Sequence, residues 1–149
     1  MSLTEKISQD LKVAMRSGDQ LRLNTIRSIR ASIIELTKRG TGSTLTTEEE
    51  LQVLLAGAKK RREAIEMYEH AKRLDLADQE KKELEIINTY LPKQMSREEA
   101  EASVAKIILA AGASSSKDFS KVMPLAMKEL KGKVDGKLVQ EIVKLKLGV

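Results

Sequence analysis

Near the end of the chain, Lys131, Lys133 and Lys137 crowd around Gly132 and Gly136, with Asp135 between them, and a helical pattern follows. Glycine lets backbone come close to a ligand, and lysine attracts phosphate. Gly132 to Leu138 reads Gly-x-x-x-Gly-Lys-Leu. That is one residue short of a phosphate-binding P-loop; it lacks the Ser or Thr for magnesium and follows no strand pattern. Nucleotide binding is therefore rejected. The residue types fit a glycine C-cap, an aspartate N-cap and lysines aimed at a polyanion.

Other clusters are weaker. Lys59-Lys60-Arg61-Arg62 is the densest basic run, but on a helix successive side chains point about 100° apart, so the four cannot form one patch. The stem of Arg61 or Arg62 is expected along the apolar face. His70, the one histidine, follows Glu63 and Glu66 on a helix face without the Glu-x-x-His spacing of di-iron bundles. Ser114-Ser115-Ser116-Lys117 superficially suggests serine–lysine chemistry, but a serine N-cap accounts for it. No nucleophile–base set, metal set or cofactor motif emerges, so the catalytic and metal assignments are none and no cofactor is expected.

Helical elements must position these residues. Apolar residues recur at helical spacing almost throughout, with no alternating strand pattern. Ser2 with Glu5 reads as a capping box before the stripe Leu3, Ile7, Leu11, Ala14 and Met15. Ser17-Gly18-Asp19 breaks it. A second helix runs to about Arg39 with Leu23, Ile26, Ile29, Ile33 and Leu36 inward, and Gly40 stops it. Thr41 to Thr44 reads as a loop. Thr46 with Glu49, or Thr47 with Glu50, caps a third helix, and Asp75 is expected to cap a fourth. Leu91-Pro92 closes that helix, because proline disfavours the α conformation before it. Ser96 to Glu99 opens a fifth, Ser114 to Ser116 precede a sixth that contains Pro124, and a seventh follows Gly132. The fold class is all-α: a bundle of four longer helices over 1–91, a linker at 92–95, and a small three-helix module over 96–149.

Composition narrows the class. The 149 residues include no cysteine, which excludes disulfides, thiol catalysis and Cys-ligated zinc. No apolar run approaches the roughly 18 residues that span a bilayer, and the N-terminus has no apolar signal core. A cytoplasmic location and no membrane partner are expected. Residues 1–91 carry 16 Lys and Arg against 15 Asp and Glu, a net of +1; residues 92–149 carry 11 against 7, a net of +4. The basic surplus points to an anionic partner, RNA before membrane. Tyr68, Tyr90 and Phe119 are too scattered for a base-stacking platform.

The order and spacing of several segments resemble the GatB/YqeY family, especially its free-standing YqeY-like members, over about residues 1–147. They include Asp10 to Met15, Arg22 to Arg27, Lys60 to Ile65, Tyr90 to Gln94, Ser96 to Glu99 and, most strongly, Asp118 to Met123 through Lys131 to Val139. The resemblance implies an N-terminal helical bundle and a small module similar to the tail of the B subunit of glutamine-dependent tRNA amidotransferase, where that tail contacts tRNA. It also implies an amidotransferase label, a carbon–nitrogen ligase with glutamine as amido donor, for which no catalytic set is visible here. The expected RNA contacts are Lys121, Lys128, Lys131, Lys133 and Lys137, with Gly132 and Gly136 permitting close approach. The expected partner is tRNA or another structured RNA; the alternative is a protein-interaction adaptor whose groove receives a partner helix.

Overall fold

A computed structural model describes residues 1–40 and 44–148. Thr41, Gly42 and Ser43, the expected loop, lie outside them. Among the described residues the fold is all-α: α1 Leu3–Ser17, α2 Gln20–Arg39, α3 Thr47–His70, α4 Leu74–Asn88, α5 Arg97–Ala111, α6 Phe119–Leu130 and α7 Gly136–Leu147, with one 3-10 turn, Ser116–Asp118, before α6. The chain divides into two compact units, Met1–Leu91 with α1 to α4 and Pro92–Val149 with α5 to α7.

Local chemistry sets most helix ends. The Ser2 hydroxyl accepts from the Glu5 amide at 3.2 Å while the Glu5 carboxylate accepts from the Ser2 amide at 2.8 Å, a complete capping box. Of the two candidate caps for α3, Thr46 with Glu49 is used. Glu50 is thereby released to another task, accepting the Leu3 amide at 3.1 Å and tying the start of α1 to the start of α3. Asp19 caps α2, and Gly18, at φ 73, turns the chain between α1 and α2.

Two expectations are corrected. Asp75 does not cap α4: the helix begins one residue earlier, and Asp75 sits in its first turn, paired with the Arg73 guanidinium through two 3.2 Å hydrogen bonds. Met15 leaves the α1 stripe and is exposed, whereas Ile7 and Ala14 are fully buried. A stripe at positions 3, 7, 11 and 14 already fills the inward arc of a 3.6-residue helix, and position 15 lies about 100° beyond 14.

The first core is built from Ile7, Ala14, Ile26, Ile29, Leu54, Ala58, Ile87 and their neighbours. Tyr90 closes one end: its hydroxyl donates to the Asp10 carboxylate at 2.6 Å, and the Lys6 ammonium lies 5.2 Å from its ring centre. Burial, then the Asp10 contact, push this phenol above its ordinary value. α4 stops at Asn88, three residues before the Leu91-Pro92 step, in successive tight turns at Thr89, Tyr90 and Leu91.

The second core gathers Ala100, Val104, Ile107, Val122, Ala126, Leu130, Val139, Ile142 and Val143. α6 runs unbroken through Pro124, which withholds the amide that the Ser120 carbonyl would otherwise accept from. Gly112, at φ 67, ends α5. The Asp118 carboxylate then accepts from the amides of Ser114 at 2.9 Å and Ser115 at 3.3 Å. These two amides hold the carboxyl below its ordinary value of 3.8.

Residues 92–149 made alone should give a helical circular dichroism spectrum and a cooperative melt; a coil spectrum would show that the second unit needs the first to fold. Because the folded Asp118 carboxyl ionises below its unfolded value, its contribution is complete above that unfolded value and is lost as pH falls through the folded one. Asp118→Asn should therefore blunt the loss of denaturant stability between pH 7 and pH 3. An unchanged acid sensitivity would assign it to other groups.

Candidate functional site

The lysine-bearing turn joins α6 to α7. After Leu130, itself buried, Gly132 takes φ 79, and the amides of Lys133 and Val134 fold back onto the Leu130 carbonyl at 3.0 and 3.3 Å. This is a helix stop with its left-handed residue just past the cap, which falls on Lys131 rather than on Gly132. Val134 is buried and plugs the turn into the second core. Asp135 opens α7, its carboxylate facing the Lys137 amide at 3.5 Å.

A second strand of contacts clasps the turn from behind. Gln94 donates its side-chain amide to the Gly132 carbonyl at 2.7 Å and to the Pro92 carbonyl at 2.8 Å. The Met95 amide donates to the Lys133 carbonyl at 2.9 Å. Gln94 and Met95, read from sequence as linker, are thus part of the turn's support. No local signal announces a contact across 38 residues.

The expected site residues fall into three groups. Lys131 and Lys137 are exposed and Lys133 is half-buried, all on this turn or the first turn of α7. Lys128 is exposed one helical turn earlier, on α6. Lys121 stands apart: its ammonium donates to the Ala111 carbonyl at 2.8 Å, at the C-terminal end of α5, where a cation meets the negative end of the helix dipole. The glycines act on the backbone. Gly132 is buried in a left-handed conformation, and a Cβ on Gly136 would come within 3.2 Å of Met127 Cε.

Elsewhere the sequence clusters resolve differently. Lys59 and Lys60 are exposed, while Arg61 and Arg62 are half-buried. Arg61 packs its stem and pairs with Glu83 at 3.6 Å. His70 is exposed at the end of α3, and among the described residues no three His, Cys, Asp or Glu converge as metal ligands. Ser115 occupies the cap position before the 3-10 turn, but Asp118 supplies the carboxylate that binds its amide. None of the described helices is long and apolar enough to cross a membrane.

The sequence profile of the YqeY-like protein family matches residues 4–147, so the chain belongs to that family. It is 34% identical over 145 residues to altered inheritance of mitochondria protein 41, mitochondrial, of Pyrenophora tritici-repentis, covering 93% of this chain and 79% of that one. It is 30% identical over 95 residues to an uncharacterized protein of Schizosaccharomyces pombe, covering 64% and 76% respectively.

The left-handed residue can be tested directly. A Cβ in that conformation costs roughly 1–2 kcal/mol, so Gly132→Ala should lower unfolding free energy by about that much. Gly136→Ala should matter less, because the atom it meets is the flexible end of Met127. Denaturant titration of both variants checks the order; a Gly132→Ala protein as stable as the parent would remove the conformational requirement.

Proposed function

We propose that this YqeY-like protein is a non-catalytic, tRNA-associated binding module whose second unit holds RNA by its phosphate backbone. One observation carries the reading: Lys131, Lys133 and Lys137 are borne by a turn whose backbone is fixed by Gly132, Gln94 and Met95. A fixed turn presents its charges with little backbone ordering left to pay on binding. Lys128 extends the set along α6. Lys121 uses one of its three donors on Ala111 and keeps two for a phosphate.

Asp135 takes the Lys137 amide in the first turn of α7, and the proposed phosphate contact is placed on the lysine side chains rather than on the helix N-terminus. In this reading Gly132 and Gly136 hold the turn in shape instead of admitting the ligand. Such contacts neutralise charge and set register but carry little base information, which fits recognition of a folded RNA by shape. The resemblance to the tail of a tRNA amidotransferase subunit supports the choice of tRNA. Within a glutamine-dependent carbon–nitrogen ligase the chain would contribute RNA binding, with the chemistry elsewhere. A relative's name places that protein in mitochondria; a module of this kind suits the cytoplasm or an organelle matrix, wherever tRNA is present.

The test is titration of tRNA at two salt concentrations against the parent chain and the triple variant Lys131→Ala, Lys133→Ala, Lys137→Ala. The parent should bind in the micromolar range, since few charges and no stacking platform are involved. The variant should lose most of that affinity and about 2 to 3 of the log–log salt slope. Exposed lysines such as Lys131 and Lys137 change stability by less than about 0.5 kcal/mol each, and a melt of the variant beside the parent checks that the half-buried Lys133 has not been needed for the fold. Equal affinity in the two proteins would remove this turn from any RNA site.

A further inference from the structure

Helices α2, α3 and α4 enclose a groove of about 580 Å³ in the first unit, within the range of small-ligand sites. Arg61 lies on its floor with its side chain only 11% exposed. A guanidinium has five donors in a planar fork. Among the described residues this one makes a single hydrogen bond, from Nη1 to the Gly57 carbonyl at 3.2 Å. Its Nε is buried with no hydrogen-bond acceptor; the nearest carboxylate oxygen, on Glu83, is 3.6 Å away, an ion pair without a hydrogen bond.

The wall beside it carries both signs. Glu80 and Glu83 sit three residues apart on α4, and both line the groove, as does Lys60 on α3. The Glu83 carboxyl is pushed above its ordinary range by burial and then by the neighbouring Glu80, with Arg61 acting the other way. Arg61 and Lys60 balance Glu80 and Glu83, while Glu35 and Arg39, also on the lining, pair with each other. A purely anionic or purely cationic ligand would meet repulsion at one end.

Gly57 supplies an independent sign. It lies in the middle of α3, where glycine is the poorest helix former apart from proline. A Cβ there would meet only Ile87 Cδ1 at 3.5 Å and Arg61 Nη1 at 3.7 Å, ordinary contacts, so the protein's own packing does not require glycine. The missing side chain leaves the groove open above Arg61.

We propose that this groove binds a small dipolar molecule bearing a carboxylate and an ammonium, a free α-amino acid being the simplest case. The carboxylate sits on the unused face of the Arg61 fork and the ammonium between Glu80 and Glu83. Charge-assisted contacts at both ends give orientation, and the remaining volume takes the side chain.

The experiment screens the twenty free amino acids at millimolar concentration against the full chain by amide NMR. At least one should give saturable shifts centred on Ser28, Gly57, Arg61 and Glu83. N-acetylation or methyl esterification of that amino acid should each weaken binding at least tenfold, as should Glu80→Gln. Gly57→Ala should raise the melting temperature and yet weaken binding, a combination that a damaged fold cannot produce. The proposal is overturned if no amino acid shifts the groove, if the blocked derivatives bind as well as the parent compound, or if Glu80→Gln and Gly57→Ala leave affinity unchanged.

Discussion

Both cores are filled almost without aromatic rings, and this sets how closely the helices must approach. Ala14, Ala58, Ala77, Ala100 and Ala126 are fully buried, on five different helices, and β-branched side chains supply much of the rest. Small side chains at the contacts let helix axes come near the short end of the usual 8–10 Å spacing. Enlarging any of these alanines would overpack the contact, by about 1–3 kcal/mol in typical cores. Val and Ile add stiffness, because each is nearly fixed at χ1 in a helix. A core of this kind tolerates little sliding, and it fixes where each helix ends as well as where it runs.

The consequence is visible at the α6–α7 turn. Leu130 and Val134 are anchored in the second core on either side of Gly132, so the chain has only three residues in which to reverse. A left-handed glycine makes that possible. The Gly132 and Lys133 carbonyls go to Gln94 and Met95, and the Lys137 amide goes to Asp135. Much of the turn's backbone is thereby satisfied within the protein. In a phosphate loop the amides themselves face the ligand; here the Lys133, Val134 and Lys137 amides turn to acceptors within the chain.

Much of this architecture was legible because capping is local. Ser2 with Glu5, Thr46 with Glu49 and Asp135 all act within three residues of themselves, so spacing alone reveals them, whereas Asp19, read only as part of a break, also caps α2. The apolar stripes gave the inward faces for the same reason. Ser96 is the partial case: its hydroxyl takes the Glu99 amide as expected, but the Glu99 carboxylate binds that hydroxyl and not the backbone. What periodicity could not give was any partner on another element. The Gln94–Gly132 clasp, the Lys121–Ala111 contact and the Arg61–Glu83 pair each join residues with no pattern between them. For Asp75 the failure was a competing neighbour, since Arg73 offered its carboxylate a charged partner where a cap would offer one amide.

The two units also use their charges differently. In the first, basic residues meet carboxylates: Arg39 with Glu35, Arg61 with Glu83, Arg73 with Asp75, Lys81 with Glu69. In the second, Arg97 is the lone arginine, and it is shared between Glu101 and Glu141. The surplus of the second unit therefore rests on lysine. Arginine's planar fork suits fixed bidentate partners, whereas the lysine ammonium is a compact, hydrated charge on a flexible stem. Flexible point charges suit phosphates whose positions vary along an RNA surface, and they give attraction without base preference. At the floor of the first unit's groove the residue present is an arginine, Arg61, which donates to the Gly57 carbonyl and faces Glu83.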